Sequence, residues 1–406
     1  MSTPPWKRSA AGANTFDEGS GAVLPTIYER TTGAAIAAGA MNLGQGFPDA
    51  EGPQWLRQAA ADAVADEATG PNQQYPPGIG LPVFREAVAE HQRRHYGLQL
   101  DPASQVLFTT GATEGIAAII LAFAEADSEV LTFEPWYDSY GAIVALAGAQ
   151  LTSLPLSAPD FRPDVDALIG QISEKTSMIL LNTPHNPTGT VFTPAEMQKV
   201  IDAARAHGVV VMCDEVYEHL LFDGAEHTPI LTLPGADEVA VAVSSVGKSF
   251  SLTGWKVGWV TGSPELVNRV RGVKQFLTFS SAPAYQWATA QGLVDDRGFF
   301  AEHRAQLTST RDLLIEGLQS VGLTTSNPQA GYFVLADISP ISDLPADEFC
   351  RRLNNEVGVA AIPVSSLTKQ NEASAELDRL VRFAFCKHRS TVETALERLQ
   401  ADLPLK

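Results

Sequence analysis

Four short stretches carry residues whose types and spacing suit chemistry. In SSVGKSFSLTGWKVGW, from Ser244, Lys248 follows an apolar run and is set among Gly and small hydroxyl residues. An amine there stands at the carboxyl end of a strand, where parallel α/β sheets bind ligands. In CDEVYEHL, from Cys213, Asp214 ends an apolar run and Tyr217 follows three residues later, so both side chains can enter one cleft. In TGATEG, from Thr110, Gly111, Ala112 and Thr113 open an apolar helix whose free N–H groups and dipole suit a phosphate. In NTPHNPTG, from Asn182, two prolines and a glycine fix a loop that leaves Asn186 as a rigidly held hydrogen-bond donor. Taken singly, each has a bland alternative: a surface-loop lysine, a helix cap with a packed tyrosine, an ordinary Gly-rich turn lacking the nucleotide-binding spacings, a structural loop. Together, each at a strand end, they are far more specific.

The elements that must position them are readable from apolar runs. VLFTT from Val106, EVLTF from Glu129, MILLN from Met178, VVVMC from Val209 and VAVAVSS from Val239 alternate with helical segments, the pattern of a buried parallel sheet with helical crossovers. Thr193-Pro194-Ala195-Glu196 reads as a capped helix start, with Gly208 as its stop. After residue 300 the pattern changes to a long amphipathic stretch, then short strands from Gly331 and Leu380 and helices from Pro345 and Ser390, a smaller α+β unit. The expected division is an arm over residues 1–24 that orders only when docked, a first part of the small domain over 25–54, a large domain over 55–300 and a C-terminal small domain over 301–406.

Composition narrows the function. The chain has 406 residues, 45% hydrophobic and 18% charged, which is globular and long enough for more than one domain. A formal charge of -19 repels phosphate backbones and anionic lipid, so nucleic acid and membrane surfaces are not expected partners. The three cysteines, Cys213, Cys350 and Cys386, have no zinc-site or disulfide spacing, and no metal-ligating set is expected. No stretch reaches the roughly 18 apolar residues of a membrane span, and the first residues lack the apolar core of a signal peptide. A soluble, cytoplasmic protein is the expectation.

These phrases resemble the pyridoxal-phosphate-dependent aminotransferases of fold type I, class I/II, over almost the whole chain. The likeness is strongest to the cluster of glutamine transaminase K, kynurenine, methionine and N-succinyldiaminopimelate aminotransferases. NLGQGFPD from Asn42, QYPPGIG from Gln74, EPWYDSY from Glu134 and VRFAFCK from Val381 add to the four stretches above. The resemblance implies an α/β fold with a large, mostly parallel-sheet domain and a smaller α+β domain, and pyridoxal 5'-phosphate as cofactor. It makes Lys248 the lysine that bonds the cofactor and then serves as general base, Asp214 the partner of the pyridine nitrogen, and Tyr217 and Asn186 donors to the ring oxygen. Trp136 becomes the aromatic stacked on the ring, with core packing as its alternative. Gly111, Ala112, Thr113, Ser245 and Lys256 become the phosphate cradle, Tyr75 the residue reaching the phosphate from a partner subunit of a homodimer, and Arg382, helped by the Gly46 backbone, the grip on the substrate carboxylate. An arginine within an apolar strand needs an anion to be buried, in keeping with that role.

Two departures bear on specificity. Tyr28 stands where the kynurenine-type pattern has a pocket-wall Trp, and Ser280 and Ser281 replace an expected Phe-His pair. A narrow preference for kynurenine is therefore not implied. The expected activity is ping-pong transfer of an amino group from glutamine, methionine, an aromatic amino acid, kynurenine or glutamate to a 2-oxo acid, including N-succinyl-2-amino-6-oxopimelate. A β-lyase acting on cysteine S-conjugates shares the same residues, and a non-catalytic ligand-binding module on the same fold is the reading from another class.

Overall fold

The computed structural model describes residues 3–65 and 70–403. Its centre is a seven-stranded sheet. From edge to edge the strands run Val106–Thr109, Gly258–Gly262, Ala240–Ser245, Val210–Asp214, Thr176–Asn182, Glu129–Glu134 and Gln150–Pro155. Gly258–Gly262 is antiparallel to both neighbours, whereas every other neighbouring pair is parallel. The five apolar runs all form strands because helices cover both faces of the sheet and bury each run almost completely. Gln150–Pro155 was not expected, since it is an edge strand that is only half-buried and has no continuous apolar run.

Local signals hold where the chain must turn. Pro194–His207 begins with the reciprocal Thr193–Glu196 capping box and ends at Gly208, whose φ of 69° is the left-handed value that favours glycine. The strand ends that matter, Thr109, Asn182, Asp214 and Ser245, all lie at one edge of the sheet, because each crossover returns the chain to the same side.

A second sheet of four antiparallel strands runs in the order Thr324–Thr325, Phe333–Asp337, Leu380–Ala384 and Ile362–Pro363. Arg382 sits on its inner strand, opposite Leu335 on one side and Ile362 on the other. Met41–Asn42 pairs in parallel with Val359–Ala360, so the segment before residue 54 is tied to the C-terminal part of the chain. Leu43, Phe349, Val381 and Leu399 belong to the core on that side.

The first residues, expected to order only when docked, are docked on the rest of the chain. Pro5–Gly12 is a helix with Pro at its first position, and it lies against the helix Ser139–Ala147. Arg8 Nε donates to the Ala145 carbonyl at 3.1 Å, and Asn14 Nδ2 to that of Thr368 at 3.1 Å. Gly12 and Gly141 meet backbone to backbone, so that a Cβ on either would run into the other's carbonyl oxygen. Two glycines far apart in sequence give no periodic signal of this docking. Gly141→Ala should detach the N-terminal helix, destabilise the protein by about 1–3 kcal/mol, and open residues 3–24 to limited proteolysis; an unchanged melting temperature and cleavage pattern would refute the docking.

Candidate active site

Asp214 is 4% exposed at the end of its strand. Its Oδ2 accepts from the Tyr140 hydroxyl at 2.6 Å, and its Oδ1 from the Val216 amide at 3.3 Å. Burial pushes its pKa up to about 6, against the opposing pull of these hydrogen bonds and of the Lys248 charge. Asn182 ties the adjacent loop to this strand end. Its amide group donates to the carbonyls of Asp214 at 2.9 Å and Pro184 at 3.2 Å, and its oxygen accepts from the Asn186 amide at 2.7 Å.

Lys248 occupies the short helical turn Val246–Ser249 that follows Ala240–Ser245. The Tyr332 hydroxyl donates to its carbonyl at 2.9 Å, fixing the turn from the smaller sheet's side. The amine lies 5.7 and 5.6 Å from the ring centres of Tyr217 and Tyr332. Burial lowers its pKa, and the positive charges of Arg382 and Lys256 push the same way, so the neutral, proton-accepting form becomes easier to reach.

The opposite end of the cavity is built for an anion. The 13-residue helix Gly111–Phe123 starts with Gly111 at φ 73°; the Thr110 side chain does not cap it, and Glu114 Oε2 accepts from the Thr110 amide at 2.5 Å. Gly258 packs directly beneath, where a Cβ would fall 2.6 Å from the Gly111 carbonyl carbon and 2.8 Å from the Ala112 nitrogen. Lys256, at φ 51°, reaches across to donate to Thr113 Oγ1 at 3.3 Å.

Ala112, Thr113, Asn186, Asp214, Tyr217, Ser245, Lys248 and Lys256 line one cavity of about 190 Å³. Tyr137, Asn182 and Val216 also line it and were not singled out from sequence. Trp136 corrects an expectation. Its indole is 6% exposed in the core beside Tyr140 and Met178, and its amide donates to the Leu367 carbonyl at 2.8 Å. The neighbouring Tyr137 turns into the cavity instead, so the aromatic wall is one residue later than expected. A larger groove of about 1220 Å³ lies elsewhere, between Arg30, Asp347 and Asn371, and shares no lining residue with this cavity.

Arg382 is 1% exposed beside the cavity, with its guanidinium carbon 4.0 Å from the Phe333 ring centre and 5.3 Å from that of Tyr28. Nη2 donates to the Gly44 carbonyl at 2.9 Å and Nη1 to Asn186 Oδ1 at 3.5 Å, while Nε has no partner. Among the described residues no carboxylate pairs with it, which leaves a buried cation suited to a ligand anion. The Tyr28 hydroxyl is likewise buried without a partner. At Gly46 a Cβ would lie 2.5 Å from Phe333 Cζ, so only glycine lets the backbone approach here. Tyr75 is 83% exposed against Phe279 and does not line the cavity of its own chain.

An anion cradle, a half-buried lysine and a buried carboxylate in one cavity, with an unpaired guanidinium beside it, fit a phosphorylated carbonyl cofactor and a carboxylate substrate. The aminotransferase class I and II family pattern matches residues 38–399. The chain is 42% identical over 382 residues to the probable N-succinyldiaminopimelate aminotransferase DapC of Mycobacterium tuberculosis, covering 92% of this chain and 95% of that one. It is 38% identical over 375 residues to methionine aminotransferase of Escherichia coli, covering 92% and 95%. The solved structure of N-succinyldiaminopimelate aminotransferase from Mycobacterium tuberculosis superposes with a TM-score of 0.88 at 41% identity, over 93% of this chain and 97% of that one. The chain belongs to the class I and II aminotransferases. It is a fold type I enzyme dependent on pyridoxal phosphate.

The raised Asp214 pKa makes a test. With a folded value of about 6 against an ordinary 3.8, the native chain holds a proton that the unfolded chain releases between these values. Stability of the cofactor-free protein therefore falls as pH rises through that window, by about 2–3 kcal/mol in all, and stays lowered above it. Asp214→Asn should make the cofactor-free protein more resistant to urea at neutral pH but not near pH 4 (about the ordinary carboxylate value). Equal urea midpoints at both pH values would contradict a strained carboxylate.

Proposed function

We propose that this aminotransferase takes its amino group from glutamate and delivers it to a 2-oxo acid carrying a further carboxylate, of the N-succinyl-2-amino-6-oxopimelate type. The observation that carries the reading is the Lys248 amine in the cavity with the anion-free Arg382 guanidinium beside it, on the cavity-lining Asn186. The 42% identity to a protein named for that reaction supports the choice of substrate. The departures at Tyr28, Ser280 and Ser281 accord with a wall not specialised for kynurenine.

The residues divide the work. When bound, pyridoxal phosphate supplies a carbonyl that bonds amines and a ring that takes up electrons released at the substrate Cα. Lys248 takes the proton from that Cα, and its lowered pKa suits the task. Asp214, held by Tyr140, would keep a positive charge on the ring nitrogen. Tyr217 and Asn186 would hold the ring by its oxygen, and Tyr137 would pack against it. The amides of Gly111, Ala112 and Thr113, with Ser245 and Lys256, would hold the phosphate. Arg382 binds the substrate α-carboxylate, which sets Cα toward Lys248, and Gly46 lends its backbone. Tyr75, exposed here, contributes to the phosphate site of a partner in a homodimer. That dimer is cytoplasmic, with a large domain over 55–300 and a small domain formed by 25–54 and 301–406.

Three measurements test this. Adding glutamate alone to the yellow holoenzyme should bleach it, and the acceptor should restore the colour; bleaching by methionine or glutamine but not by glutamate would overturn the donor. Lys248→Ala should abolish steady-state turnover, and measurable transamination by that variant would remove Lys248 from the chemistry. Arg382→Lys should lower kcat/KM for amino acids by about 10- to 100-fold while leaving the cofactor's absorption intact; an unchanged kcat/KM would show that the carboxylate binds elsewhere.

A further inference from the structure

Behind the segment that carries Asp214 and Tyr217 lies a cluster of histidines that the transamination chemistry does not use. The helix Pro82–Tyr96 presents His91 and His95 one turn apart, so their rings project from one face. That face meets His219, whose Nε2 lies 2.9 Å from His91 Nε2. The ring centres are 4.6 Å apart for His91 and His95, and 5.0 Å for His95 and His219. One donor atom from each of the three lies within 4.8 Å of the others. His91 and His219 are buried, and His95 stands exposed at the rim, which gives an ion a way in.

The surroundings suit a cation. Glu218 is buried with Oε2 3.8 Å from His91 Nε2, a negative charge beside the histidines. Gln92 Nε2 donates to Glu218 Oε2 at 3.3 Å and Ser244 Oγ to Oε1 at 2.5 Å, so the carboxylate is held in place. Phe300 stacks on His219 at 3.8 Å and 7°, fixing that ring.

We propose that His91, His95 and His219, with Glu218 beside them, form a binding site for one divalent transition-metal ion of the zinc type. Three imidazoles with a carboxylate charge nearby match that ion's donor preference, and metal–nitrogen distances of about 2.0–2.1 Å are reached by ring movements. The ion replaces the direct contact between His91 and His219 with two metal bonds, and His95 turns inward from the surface. Bound there, it braces the Asp214–His219 segment from the side away from the cavity. The spacing escapes a sequence reading because His219 is far along the chain from the other two.

The test uses untagged holoenzyme freed of metal by a chelator and titrated calorimetrically with zinc chloride. The expected result is one zinc ion per chain with micromolar or tighter affinity, accompanied by a higher melting temperature. His95→Ala and His95→Gln, both at an exposed position, should weaken binding by about 100-fold, whereas His207→Ala, at an exposed histidine elsewhere, should leave it unchanged. No binding by the wild type, or binding that both His95 variants retain, would overturn the site.

Discussion

The close approach at Gly258 is the constraint on which the cavity depends. That residue lies opposite Thr109 on one neighbouring strand and Ser245 on the other, at the point where the single antiparallel strand is inserted. Because it has no side chain, the first turn of Gly111–Phe123 can rest on it, and Lys256 leaves the strand start in a left-handed conformation that carries its amine over Gly111. A larger residue would part the anion cradle from the strand that delivers Lys248. The cationic and anionic halves of the site are thus set by the packing of one backbone atom against another.

The cavity itself is a collection of unfavourable burials. A carboxylate, an amine and a guanidinium are drawn together where water is scarce, and within the chain they are only partly compensated: Asp214 by Tyr140 and Val216, Arg382 by carbonyl and amide oxygens and two aromatic faces. Such an arrangement persists because the two sheets over-determine it. Tyr332 and Arg382 come from the smaller sheet's side, Asp214 and Lys248 from the larger, and the hydrogen bond from Tyr332 to the Lys248 backbone joins them. A protein selected for stability alone would place apolar residues here.

Much of this was legible in the sequence, for identifiable reasons. Strands buried on both faces announce themselves as apolar runs, and loops at their ends concentrate Gly, Pro and polar residues, so Lys248, Asp214, Tyr217 and Asn186 could be named in advance. What escaped depends on direction rather than composition. Trp136 and Tyr137 are adjacent aromatics in a tight loop, and only the path of the backbone decides which one enters the cavity. Tyr140, the hydroxyl that holds Asp214, sits one helical turn further on and reads as a core residue. The edge strand Gln150–Pro155 lacks an apolar run, and the antiparallel Gly258–Gly262 is short and bounded by glycine, so neither shows a periodic pattern.

The docking of the N-terminal helix has a practical corollary. Its contact glycine, Gly141, is next to Tyr140, so the helix Pro5–Gly12 presses on the same short helix that positions the Asp214 carboxylate. Anything that pulls at the first dozen residues, such as a purification tag, a fusion partner or a surface linker for an immobilised biocatalyst, acts on a lever whose other end is the Asp214 carboxylate. The C-terminal helix Arg389–Asp402 packs against the long helix Phe299–Ser320 and lines no part of the cavity, and is the safer point of attachment.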